Sequence, residues 1–148
     1  MFFSQDRTTL RRYFATAWRK RIEGAPLEPL EATISDVVAM HPQYHGLLES
    51  GEEVLARDYP PELGETNPFL HLAMHMGIRE QLATNRPAEL RALHGALLAK
   101  CGDTHETEHA MMECLAEVIW QAQRYGTLPD EASYIACLRQ QIGTPKRF

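Results

Sequence analysis

The chain has 148 residues, 44% of them hydrophobic and 24% charged, and a net charge of −5. That length gives one domain with a real core, and the charge has the wrong sign for a general nucleic-acid binder. No apolar run approaches the length that spans a bilayer, and arginines interrupt the N-terminal segment where a signal peptide needs a continuous apolar core. A cytoplasmic protein with neither a membrane nor a nucleic-acid partner is expected.

The apolar pattern is helical nearly throughout, with no strand alternation, no repeat and no low-complexity tract. It predicts an all-α fold: one domain over residues 1–148, an antiparallel bundle of about five to six helices. The first helix, within residues 1–22, runs from about Asp6 to Ile22, with Leu10, Phe14, Ala17, Trp18 and Ile22 as its stripe. It is basic: Arg7, Arg11, Arg12, Arg19, Lys20 and Arg21 stand against Asp6 and Glu23. Those charges suit a solvated face, docking on the acidic remainder of the chain, or an acidic protein partner. The sequence also allows a homodimer.

A second helix starts near Pro29 with Leu30, Ile34, Val37 and Val38, and Pro42 predicts a break at His41. Tyr44–Leu48 reads as a short helix or turn, and another short helix is expected within Glu52–Arg57. Asp58–Thr66, with Pro60, Pro61 and Gly64, is the clearest loop. The bundle core, residues 67–142, then opens with Asn67 as N-cap and Pro68 at the first helical position. That helix extends to about Thr84 and is apolar almost all round over Phe69–Ile78. The next starts at Pro87 and carries the stripe Leu90, Leu93, His94, Leu97, Leu98 and Cys101 before Gly102. Asp103 and Glu106 predict the start of the longest helix, which ends at Tyr125 before Gly126. A last helix spans about Asp130–Ile142, and the tail Thr144–Phe148 is expected to fray. Trp18 and Trp120 are expected in the core. Cys101, Cys114 and Cys137 are odd in number and contain no Cys-x-x-Cys pair, so buried reduced thiols are expected.

Six of the seven histidines fall in pairs spaced four apart: His41/His45, His71/His75 and His105/His109. Composition alone gives roughly a third of one such pair. On a helix, residues four apart share a face, and two imidazoles so placed can both reach one metal ion at about 2.0–2.1 Å. His105, His109 and Glu113 form a ladder, but each four-residue step drifts by about 40°. His71 and His75 lie on a stretch with few other polar groups, where a buried imidazole needs a partner. His94 could complete a site or support one from behind. For His41 and His45 the break at Pro42 favours a helix-ending turn in which His41 caps a backbone group. Cys101 could be a further ligand near His105, although burial is the simpler reading.

Several stretches carry a resemblance. Asn67-Pro-Phe-Leu-His-Leu-Ala-Met-His75, His105-Glu-Thr-Glu-His-Ala-Met-Met-Glu-Cys-Leu115, Ala17-Trp18-Arg-Lys20 and His41-Pro-Gln-Tyr-His45 resemble the bacterial domain-of-unknown-function family 1841. The likeness covers nearly the whole chain. It implies a small bacterial cytoplasmic protein and brings no activity with it. A looser architectural likeness, to helical-bundle metalloproteins of the hemerythrin and DinB kinds, rests on the idea of histidines and carboxylates on neighbouring helices.

The expected function is a metal-binding helical bundle. His71, His75, His105, His109 and Glu113, with His94 adjacent, would hold zinc or iron between the helices at about 67–84 and 104–125. An open position would let Glu113 or Glu117 act as general base toward a metal-bound water, whereas a closed shell would be structural. The catalytic residues, if any, are not defined by the sequence. The alternative is a metal-free interaction module with a buried histidine network and the basic first helix facing an acidic partner.

Overall fold

A computed structural model describes residues 7–50 and 67–144. The expected helix within Glu52–Arg57, the Asp58–Thr66 loop, the first six residues and the tail beyond Thr144 lie outside the described residues. Among those described, the protein is all-helical, with seven α-helices and one 3-10 turn. The helices are α1 (Arg7–Glu23), α2 (Pro29–Ala39), α3 (His45–Leu48), α4 (Pro68–Thr84), α5 (Leu90–Cys101), α6 (Thr104–Tyr125) and α7 (Glu131–Gly143). The 3-10 turn Pro42–Tyr44 precedes α3. None of these helices is long and apolar enough to cross a membrane. Two compact units are present, Met1–Gly77 and Ile78–Phe148, with the division inside α4.

In the first unit α1 packs on α2. Phe14, Ala17 and Trp18 meet Ile34, Val37 and Val38, with Leu48, Phe69, Leu72, Ala73 and Met76 completing the core. Gly24, at φ 70°, ends α1 in the left-handed region that glycine tolerates. Two members of the expected stripes lie outside this core: Ile22 and Leu30 are exposed at the ends of their helices. The charges explain the register. Lys20 Nζ donates to Glu31 Oε2 at 2.8 Å, and Arg21 Nη1 to Asp36 Oδ1 at 2.8 Å, so both cations of the last turn of α1 answer acids on α2. Arg11 is buried, its guanidinium 4.6 Å from the Phe69 ring centroid. Several of the basic residues of α1 therefore have partners inside this unit.

The Lys20 ammonium holds the Glu31 carboxyl below its usual range. A depressed carboxylate adds stability above its unfolded pKa, and that stability is lost as pH falls through the folded value. Glu31→Gln is therefore expected to melt at a lower temperature than the parent at pH 7. The gap should close as the pH drops below about 4, near the ordinary glutamate pKa. Melting curves from pH 7 to 3 check this; a gap that does not change with pH would assign the effect to packing.

In α4, Asn67 Oδ1 accepts from the Phe69 and Leu70 amides at 3.0 and 3.2 Å, the expected N-cap. The helix then runs to Thr84. Leu70 departs from the expectation of all-round burial: it is exposed, while 72–78 are buried without a break.

In the second unit α5, α6 and α7 pack on one another. Leu90, Leu97, Met111, Cys114, Leu115, Val118, Tyr134, Ile135 and Leu138 supply buried side chains. α5 begins at Leu90 rather than at Pro87. The reason is Asn85, whose Nδ2 donates to the Ala88 carbonyl and whose Oδ1 accepts from the Arg91 amide, organising residues 85–89 as a turn. Gly102 and Gly126 close α5 and α6 at φ 78° and 63°. Arg79 pairs with the buried Glu108 at 3.2 Å, and the Tyr134 hydroxyl donates to Gln81 Oε1 at 2.7 Å. Burial raises the Tyr134 phenol pKa, so it remains a neutral donor.

Two expectations are corrected here. Cys114 and Cys137 are not reduced thiols: they form a disulfide joining α6 to α7, leaving Cys101 as the free thiol. The wide spacing hid the pairing because the fold, not the local sequence, brings the two cysteines together. Trp120 is not a core residue: it is exposed, with the Arg124 guanidinium 5.2 Å from its ring.

Candidate metal centre

The end of α2 builds the first part of the site. Pro42 disfavours helical geometry at the residue before it, and His41 has left the helix at φ −126°, ψ 69°. The last carbonyls of a helix lack intrahelical donors. His41 Nδ1 donates to the Val37 carbonyl at 2.7 Å, and His45 Nε2 donates to the Val38 carbonyl at 2.8 Å. A carbonyl only accepts, so in the neutral ring the His41 proton sits on Nδ1 and the lone pair on Nε2. His45 turns the other way and packs on Trp18, with ring centroids 4.3 Å apart.

The backbone contact expected of His41 is thus present, and it orients the ring rather than using it up. His41 Nε2 stands 3.1 Å from His71 Nε2. Three imidazoles gather inside the first unit. The His41 centroid is 4.9 Å from that of His71 and 4.6 Å from that of His75, and His71 and His75 are 5.0 Å apart. The four-residue spacing on α4 produces the last of these distances, as the sequence implies. His41 and His75 are fully buried and His71 half-buried. Tyr44 stacks on His41 at 5.5 Å, and burial raises its phenol pKa.

The second unit carries the other pair. Asp103 caps α6 by accepting from the Glu106 amide at 3.1 Å, which fixes the first turn that bears His105. The His105 and His109 centroids are 4.2 Å apart, and both rings are half-buried. The third rung of the ladder has rotated away: Glu113 is exposed and accepts from Gln141 Nε2 at 3.1 Å. Glu117, likewise exposed, accepts from Gln121 Nε2 at 3.0 Å.

Within the first unit, His41, His71 and His75 are the imidazoles that stand together. Of the sequence-derived residues, His71 and His75 lie together in the first unit and His105 and His109 in the second. His94 and Cys101, both on α5, are half-buried, and Glu113 is exposed. His41 is the member of the first-unit cluster for which the sequence favours capping over ligation, and the cap is present. The signal for ligation was the repeated four-residue spacing, discounted because Pro42 breaks the helix.

Residues 6–140 match the family model described as a domain of unknown function, DUF1841, and the chain belongs to that family. No curated protein and no solved structure is similar to it.

Proposed function

We propose that this member of a family of unknown function binds a transition-metal ion through His41, His71 and His75 of the first unit. The observation that supports the proposal is the cluster of three imidazoles, with ring centroids 4.6 to 5.0 Å apart. Imidazole is a ligand of zinc, iron, copper and nickel, and the proposal takes zinc or iron as the resident ion. The second support is the orientation of His41. Metal-ligating histidines typically donate their other N–H to a carbonyl or carboxylate, which fixes tautomer and ring angle. Val37 supplies that carbonyl.

The ligand nitrogens must lose or lack their protons to bind, so metal and protons compete. Elemental analysis of untagged protein tests the reading. The expected result is near-stoichiometric zinc or iron, removed by a chelator and missing from His75→Ala. Absence of metal, with no thermal stabilisation by added zinc or iron, would overturn it.

One contact favours a second reading. His41 Nε2 and His71 Nε2 at 3.1 Å make a hydrogen bond between two imidazoles, the kind of link that would build a metal-free histidine network. In that case His71→Ala should destabilise the protein more than chelation does. In the metal-binding case chelation should have the larger effect.

A further inference from the structure

We infer that the outer face of α6 docks on the same face of a second copy of this chain, antiparallel about a two-fold axis near Trp120. The inference is independent of the metal reading. Leu115, Val118 and Ala122 are buried and turn one side of α6 toward the helices of its own unit. Glu113, Glu117, Trp120 and Arg124 are exposed. At 100° per residue these four share one stripe about 60° wide, on the opposite side of the helix. Their spacing of four, three and four residues is that of a helix-pairing seam. Trp120, at the middle of the stripe, is 51% exposed, and Tyr125 adds a second exposed ring at the end of the helix. Tryptophan is highly buried on average and is enriched where one protein surface meets another.

The charges on the stripe select the occupant. Its N-terminal part is acidic, with Glu113 and Glu117, and its C-terminal part is cationic, with Arg124. The Arg124 guanidinium lies 5.2 Å from the Trp120 ring and 5.8 Å from the Tyr125 ring, and no carboxylate pairs with it among the described residues. Glu117 accepts from the neutral side chain of Gln121 on its own helix. Glu117 stands three residues before Trp120, and Arg124 four after. An antiparallel two-fold near Trp120 therefore brings Glu117 of each copy against Arg124 of the other and sets the two Trp120 rings together. A parallel two-fold would set Glu117 against Glu117 and Arg124 against Arg124, like charges that repel. The face is complementary to itself in one alignment, as a closed dimer requires. The overlap is about 12 residues of helix, or about 18 Å at 1.5 Å per residue. An interface of that extent is small, so the dimer is weak and concentration-dependent.

Sedimentation equilibrium on the full-length untagged chain, from about 1 µM to 1 mM, brackets a weak interface. The expected result is a monomer that becomes a dimer across this range. Trp120→Ala should raise the dissociation constant about tenfold or more, as loss of a central aromatic does. Glu117→Arg and Arg124→Glu should each weaken the dimer by a similar factor, because the two-fold repeats every like-charge contact. The double variant Glu117→Arg/Arg124→Glu restores opposite charges across the axis and should return to within a few-fold of the parent. All four positions changed or compared are on the exposed side of α6, so the fold is retained in each variant. A chain that stays monomeric throughout would overturn the inference. A dimer indifferent to Trp120→Ala would place the contact elsewhere and overturn it as well. Single reversals that weaken the dimer without recovery in the double variant would overturn the antiparallel alignment.

Discussion

Replacing His41 with alanine is expected to lower metal affinity more than about 100-fold, while His45→Ala leaves it within a few-fold of the parent. The magnitude follows from position. Loss of a partner behind a ligand typically costs 10–100-fold, and His41 is proposed as a ligand itself. His45 has the same residue type, the same short segment and a similar backbone hydrogen bond, to Val38 rather than Val37. Its ring lies on Trp18, away from the proposed ligands. The pair thus separates ligation from helix capping. Competition with a chromophoric zinc chelator measures both variants. Equal losses would mean that the two act only by holding the end of α2 in place. No loss in either would remove His41 from the ligand set and leave the His71/His75 pair of α4.

His41 also shows where the sequence stopped being legible. The helices themselves were readable because caps, prolines and apolar spacing are local signals. Asn67 capping α4, Gly102 closing α5 and Asp103 opening α6 all lie where the residue types place them. The His71/His75 and His105/His109 pairings were readable for the same reason, since four residues make one turn. At His41 the expected backbone cap is present, and the chemistry of the ring adds a second contact. Capping and ligation were weighed as alternatives, yet imidazole has two nitrogens, and the one bonded to Val37 leaves the other to face His71. Glu113 lies two steps of 40° on, about 80° around the helix, where it is exposed and accepts from Gln141. Trp120 shows a third limit. Large aromatics are usually inside, but its neighbour four residues on is Arg124, and the two pair on the surface of α6. No single-residue preference reports which face of a helix its neighbours cover.

Breaking the Cys114–Cys137 bond is expected to have the largest effect on stability. The two cysteines are 23 residues apart and tie α6 to α7. In the chain-entropy account, a crosslink closing a loop of that size removes about 3 kcal/mol of unfolded-state freedom. Cys137→Ala should therefore lower the urea midpoint by roughly 1.5 M at a typical slope of about 2 kcal/mol/M. Cys137 is half-buried and alanine leaves no polar group behind, so the loss of the crosslink dominates over packing. Thiol counting separates this from a simple core defect. With the bond formed, the unfolded parent offers one reactive thiol, Cys101; with it reduced, three. Equal midpoints for parent and variant, together with three thiols, would show that the bond does not form in solution. The same count made directly on a cell lysate bears on compartment, because disulfides persist where the surroundings are oxidising and are rare in the cytosol. One thiol would argue against the cytoplasmic expectation. Three would keep that expectation and make α6, with His105 and His109, dependent on its other contacts with α5 and α7 for its position.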